Sequence, residues 1–304
     1  MLPAMSSPLT SGGRDGSNLG MAIIREHLAC RGLGLHNDLQ NEHSVVGNNI
    51  GLLLMLEYGT DAQKSAWLDG LKTATRGFAF GITEPEHGTD TLCPYTPEFE
   101  NPAISGQLTA RLDGDAYIIE GQKSAWVSNG TIATHALAYL TIDPSMGMAG
   151  GGICVVPLDL PGVRKGRPLD KMGQRALNQG EIFFDKVRVP REYMLVDEES
   201  YSAMLDITLS TANAAMGAMF TGVARAAYEE ALQYAKQRVQ GGKVLFDHQQ
   251  DDIPLGLQGE AEEGLGLVHA LASGLGDYRG AGGAGAAGGL QHRMGLTVFD
   301  QGDN

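Results

Sequence analysis

The 304-residue chain is poor in cysteine, tryptophan and basic residues, and it has no long apolar run. Its three cysteines, Cys30, Cys93 and Cys154, are scattered and form no C-x-x-C pair. Neither a disulfide framework nor a zinc site is indicated, and a reducing compartment is expected. No apolar stretch approaches the roughly 18–20 residues of a membrane span, and Met1–Thr10 lacks the basic start and apolar core of a signal peptide. We therefore expect a cytoplasmic protein with no membrane partner. Lys and Arg number 22 against 36 Asp and Glu, a net charge of -14. Such a surface repels nucleic acid and anionic membranes at long range. His36, Asp38, Glu42 and His43 lie close in sequence, but the histidines are seven apart rather than at the i, i+3 or i+4 spacing of a ligating pair, so a solvated face is expected there and no metal.

What is present is an ordinary globular composition, 42% hydrophobic and 19% charged, with a period that changes twice along the chain. Residues 1–18 are rich in Ser, Gly and Pro and read as a flexible start. Leu19–Leu33 and Val45–Tyr58 carry apolar residues at helical spacing, and Thr60-Asp61 caps a third helix through Leu71. Residues 1–75 thus read as a partial α-helical domain. From Arg76 to Pro190 the period falls to two, with strands expected at Gly77–Ile82, Gln107–Asp113, Ala116–Gly121, Ala136–Ile142, Gly152–Val156 and Glu181–Val187. Residues 76–190 are expected to form a compact β-barrel or sandwich, with Tyr95–Pro102 as a polar surface loop. A long helix runs from Tyr201 to about Arg238, and its small residues, Ala212, Ala214, Ala215, Gly217 and Ala218, admit a close neighbour. It opens a second helical domain, 191–250, and residues 251–304 are a Gly/Ala-rich, low-complexity tail. The fold class expected is α+β multidomain: a helical domain, a middle β-barrel or sandwich, and an incomplete C-terminal helical bundle.

The chemistry concentrates in Phe78-Ala-Phe-Gly-Ile-Thr-Glu-Pro-Glu-His-Gly-Thr-Asp90. Phe78, Phe80 and Ile82 alternate on a strand, and Pro85 and Gly88 then turn the chain so that backbone N–H groups and the hydroxyls of Thr83 and Thr89 point off its end. A flavin ring, which needs an apolar wall and a few fixed donors, suits such an edge. Alone, the loop reads rather as a β-turn leaving a core strand. Trp126-Val127-Ser128 offers a second wall and a hydroxyl, with a core tryptophan as the alternative. Met172-Gly-Gln-Arg175, Phe183–Pro190, Arg238 and Asp247-His248-Gln249 follow in order. Arg175 reads as architectural or as the partner of an acidic neighbour.

Together, from about Arg14 to Gln249, these motifs resemble the acyl-CoA dehydrogenase family, flavoenzymes that desaturate acyl-CoA thioesters between the α and β carbons. The resemblance implies FAD held by Phe80, Ile82, Thr83, Gly88, Thr89, Trp126, Val127 and Ser128. It implies that Arg238, His248 and Gln249 meet the FAD of an adjacent subunit in a homodimer or homotetramer. Thr89 and Asn213 fall on the acyl-CoA side, and an electron-transferring flavoprotein is the implied acceptor. This chain departs from the family pattern in several places. Ser128 stands for the usual Thr, one extra residue separates Gly121 from Trp126, Gly241-Gly242 replaces Phe-Gly, and Asn213 replaces an Arg. The first helices and the downstream catalytic Glu are missing, and Ala212 occupies the alternative position for that carboxylate. Asp206 and Glu229 are off the matching position, while Glu260, Glu262 and Glu263 lie in the tail, so no catalytic residue is named. The abrupt change after Gln250 reads as a shifted frame, and weak or absent activity is expected. A flavin oxidase or monooxygenase of the same fold and a non-catalytic binding paralogue are the alternatives.

Overall fold

The computed structural model describes residues 16–31, 50–73, 75–173, 175 and 177–248. Helix α1, Asn18–Cys30, starts where the Ser17 hydroxyl accepts the Gly20 N–H at 3.0 Å. Helix α2 spans Ile50–Tyr58; the expected beginning at Val45 lies outside the described residues. Helix α3, Asp61–Lys72, opens with the expected Thr60 cap, which forms a reciprocal box with Gln63. The Gln63 amide also donates to the carbonyls of Glu192 and Met194, so the start of α3 is tied to the far end of the β-domain.

The middle of the chain forms one open, mixed sheet. Its strands are β1 Phe78–Gly81, β2 Thr109–Asp113, β3 Ala116–Lys123, β4 His135–Thr141, β5 Gly151–Pro157, β6 Val163–Lys165, β7 Ile182–Pro190 and β8 Met194–Val196. The order is β6-β7-β3-β2-β4-β5-β8, with β1 running parallel to β4 from Phe78↔His135 to Gly81↔Ala138. The path ends at β6 and β8, so the sheet is not the closed barrel that the strand spacing admitted. Strands β2 and β4 meet at the single pair Thr109↔Thr141, and there the sheet folds over. Ala136, Ala138, Cys154 and Val156 on one half then face Ile119, Phe184, Val187 and Val189 on the other across a shared core. Strands β6 and β8, three residues each, are too short to announce themselves by alternation.

A second core lies between the sheet and the helices. Ile50, Leu54, Met55, Trp67 and Leu71 meet Phe78, Leu137, Tyr139 and Ile153 there, together with Tyr201, Met204 and Leu205 of α4. Helix α4, Glu198–Gln237, is 40 residues and roughly 60 Å long, and it starts at an Asp197 cap. Its middle approaches α1 so closely that a Cβ on Gly222 would lie 2.2 Å from the Glu26 carbonyl oxygen. An ion pair between Arg225 and Glu26 at 2.8 Å completes that crossing.

The Tyr95–Pro102 stretch lies at the surface as expected, with one residue turned into the core. Phe99, inside the polar Tyr95–Pro102 stretch, is 1% exposed, and its ring stacks on Tyr201 with centroids 6.5 Å apart. Its carbonyl accepts the Ala149 N–H. A single apolar residue has no period, so only the tertiary contact reveals its role. Phe99→Ala is expected to cost about 3–5 kcal/mol, read as a lower urea midpoint; an unchanged midpoint would contradict this packing.

Candidate functional site

The loop after β1 is fixed by a buried ion pair. Glu84 Oε1 lies 2.6 Å from Lys123 Nζ, and both side chains are almost fully enclosed. Lys123 also donates to the Ile82 carbonyl at 2.9 Å, and Glu84 accepts the backbone N–H groups of Gln107 and Leu108. Burial pushes the Glu84 carboxyl up, but Lys123 and the two N–H donors outweigh it and hold it below its ordinary value. Beyond Glu84, its own N–H returns to the His87 carbonyl, while Asp90 accepts from the Gly88 N–H at 2.8 Å and lies 2.6 Å from His87 Nδ1. The sequence motifs singled out neither Glu84 nor Lys123, which lie in a polar loop and at a polar strand end where a charge is ordinary.

The turn 124–131 is then laid against this loop. Ser124 N–H donates to the Thr83 carbonyl and Phe80 N–H to the Ser128 carbonyl, both at 3.0 Å. On its other side the segment 177–180 closes over the turn through Asn129 N–H to the Asn178 carbonyl and Gly180 N–H to the Val127 carbonyl. Gln179 Nε2 donates to the Trp126 carbonyl at 3.2 Å and to Ser128 Oγ at 3.1 Å, and Gln179 Oε1 accepts from Lys171 Nζ at 2.8 Å.

This arrangement brings Phe80, Thr83, Trp126 and Ser128 together. Trp126 is 55% exposed while Ser128, two residues on, is buried. Among the described residues the Ser128 hydroxyl accepts from Gln179 and its own proton has no acceptor. Phe80 packs edge-on against Tyr139 with centroids 5.1 Å apart. Gly88 and Thr89 are exposed, and a Cβ on Gly88 would meet nothing within 4 Å, so open space adjoins the loop. An exposed indole, a hydroxyl with a spare proton and open space beside the loop suit a planar ring with an acceptor nitrogen.

Other expected residues fall elsewhere. Val127 and Ile82 turn their side chains into the inner and outer cores, respectively, so only their backbones remain for a ligand. Asn213 is exposed on α4. Arg238 caps α4 at its far end, and β9 Val239–Gln240 and β10 Lys243–Val244 form a hairpin after it. Both turn residues, Gly241 and Gly242, have positive φ, so the Gly-Gly pair that replaces Phe-Gly meets a conformational requirement. The hairpin returns His248 to the Gln240 carbonyl at 2.8 Å. Among the described residues no hydrogen bond joins Arg238 or His248 to the Trp126 face, and Gln249 lies outside them, as do His36, Asp38, Glu42, His43 and Glu260, Glu262 and Glu263. Arg175 pairs with Asp170, the acidic neighbour foreseen. Glu229 is bonded to Arg225, and Asp206 is half-buried with its carboxyl raised by burial. A separate cleft of about 640 Å³ shares only Pro85 with the loop and is otherwise lined by residues such as Gln122 and Arg164, which rests 3.8 Å over the Phe183 ring.

Removing Lys123 leaves Glu84 buried without its cation. Lys123→Met is expected to cost about 3–5 kcal/mol, and Glu84→Gln in the same chain to recover part of it. Because the folded-state Glu84 carboxyl is depressed, its stabilisation is full above the ordinary carboxylate range and lost as pH falls through the folded value. Urea titrations at pH 7 and at pH 3–4 check both; equal acid sensitivity in the wild type and Glu84→Gln would contradict the assignment.

Two family models match the chain: acyl-CoA dehydrogenase, middle domain, over residues 79–187, and acyl-CoA dehydrogenase, C-terminal domain, over residues 204–288. The second match continues past Gln249, where the resemblance was expected to stop, and takes in much of the Gly/Ala-rich stretch. A short-chain specific acyl-CoA dehydrogenase of Megasphaera elsdenii is 31% identical over 86% of this chain and 64% of its own length. A probable acyl-CoA dehydrogenase of Bacillus subtilis, YngJ, is 31% identical over 80% of this chain and 59% of its own. The butyryl-CoA dehydrogenase structure from Megasphaera elsdenii superposes with a TM-score of 0.78 at 28% identity, covering 91% of this chain and 69% of that one. The chain thus spans 59% and 64% of the length of these two curated relatives. With both domain models in chain order and the fold in agreement, the chain belongs to the acyl-CoA dehydrogenase family.

Proposed function

We propose that this chain binds FAD with its ring against Trp126 and serves the α,β-desaturation of an acyl-CoA thioester. The observation that carries this reading is the exposed Trp126 indole beside the buried Ser128 hydroxyl, on a turn whose Ser128 carbonyl accepts the Phe80 N–H of β1 and whose Ser124 N–H donates to the Thr83 carbonyl. When bound, FAD supplies the two-electron acceptor for the hydride that leaves the β carbon. Trp126 shields one face of the ring, Ser128 holds a proton toward its acceptor nitrogen, and Thr83 and Thr89 line the approach from the loop. Arg238 and His248 serve the diphosphate and adenosine of a neighbouring subunit's FAD in a homo-oligomer; a planar guanidinium suits a diphosphate bidentately. An electron-transferring flavoprotein takes the electrons onward. The names of the relatives support a short acyl chain as substrate.

Taking the α-proton requires a carboxylate base beside the thioester. The two carboxylates of α4 weighed for that role do not meet that need: Glu229 is engaged by Arg225, and Asp206 lies on the flank of α4 away from the positions that meet the core. We infer that the 304-residue chain binds its cofactor but turns over slowly.

Trp126→Ala is expected to weaken FAD binding about tenfold or more, since an aromatic stacking partner contributes beyond its buried area. Flavin content and the visible spectrum after purification check this, and an unchanged holoprotein would place the ring elsewhere. With butyryl-CoA and an artificial acceptor, turnover is expected about 10²–10⁴-fold below ordinary enzyme rates. A rate on the order of 1–10³ per second would mean that a carboxylate reaches the substrate after all, and oxygen consumption during that turnover would indicate an oxidase.

A further inference from the structure

The residues that orient Ser128 lie outside every motif that pointed to the site. Gln179 touches three groups through its amide: Lys171 Nζ at Oε1, and the Trp126 carbonyl and Ser128 Oγ at Nε2. An ammonium cannot accept a hydrogen bond and a carbonyl cannot donate one. The two outer partners therefore fix which end of the amide is which, independently of Ser128. Lys171 is itself buried and held by the Leu177 carbonyl at 2.8 Å, so the lock has a fixed origin. Ser128 Oγ, buried and only 4% exposed, receives an N–H from below. Its own proton has to point away from Gln179.

The geometry points to Gln179 as a positioning residue, locked by Lys171 and the Trp126 carbonyl, that commits the Ser128 proton to the flavin ring. This rests on the ring placement proposed above and adds the device that sets the direction of its hydrogen bond. A serine lacks the methyl group that restrains χ1 of a threonine, and its hydroxyl hydrogen rotates as freely, so the contact with Gln179 fixes both the place of Oγ and the direction of its proton.

Gln179→Glu tests the lock with little change of shape. The carboxylate still accepts from Lys171, but its second oxygen now accepts from Ser128, and the proton turns inward. In the full chain loaded with FAD, Gln179→Glu and Ser128→Ala are each expected to shift the oxidised/reduced flavin equilibrium about tenfold, on the order of 30 mV for a two-electron couple. Both should move the visible band, and the double variant should shift no further than either single one. If Ser128→Ala shifts the flavin and Gln179→Glu does not, the proposal is overturned while the ring placement stands. A Gln179→Glu shift that persists undiminished in the Ser128→Ala chain reports the added charge and also overturns it. If neither variant moves the flavin, or the chain takes up no FAD, the ring placement fails and the proposal with it. Should Gln179→Glu not fold, Lys171→Met frees the amide instead; it is expected to shift the flavin in the direction seen for Ser128→Ala, and an unmoved flavin contradicts the lock.

Discussion

The buried pair of Glu84 and Lys123 decides where the site is. Desolvating each charge costs several kcal/mol, and the loss is offset only when geometry and additional hydrogen bonds are good. Here the carboxylate takes the ammonium and two backbone N–H groups, and the ammonium also reaches the Ile82 carbonyl. Those contacts come from the end of β1, the approach to β2 and the end of β3. Three stretches distant in sequence are thereby held at one point. Gly121 shows how tight that point is: with φ of 134°, any Cβ there would lie 2.7 Å from the Gln107 carbonyl oxygen. The strand can pass so close only as glycine.

Everything at the ring face hangs from that point. The Thr83 carbonyl next to Glu84 receives Ser124, the residue after Lys123, so the ion pair and the first bond of the 124–131 turn are neighbours in the chain. The turn in turn receives the 177–180 segment. Gly130 and Gly180 pack so closely there that a Cβ on Gly130 would meet the Gly180 carbonyl oxygen at 2.4 Å. Two cores flank this turn, one inside the folded sheet and one beneath the helices, and they hold the strands from which the exposed indole projects.

Much of this was legible in the sequence because it is periodic. The helices α3 and α4 and the strands β1 to β5 and β7 announced themselves by spacing, caps and alternation, within a few residues of where they lie. In the Trp126-Val127-Ser128 triplet the first residue is exposed and the next two are buried, a pattern set by the turn's tertiary contacts and not by strand alternation. What was not legible depends on partners far apart. Glu84 and Lys123 are separated by 39 residues and Ser128 and Gln179 by 51, and a lone charge or amide carries no period. Phe99 was hidden for the same reason. The folding of one sheet into two facing halves turns on a single residue pair, Thr109 and Thr141, which no local pattern encodes.

The ring face at Trp126 is tested most directly by tryptophan emission during titration of the chain with FAD. The protein has two tryptophans, Trp67 in the outer core and the exposed Trp126. Stacking of an isoalloxazine on Trp126 predicts that a Trp67→Phe chain, whose remaining indole is Trp126, loses most of its emission at saturation, and that a Trp126→Phe chain binds more weakly with little quenching. FAD binding that leaves the Trp126 emission intact would contradict the site as described.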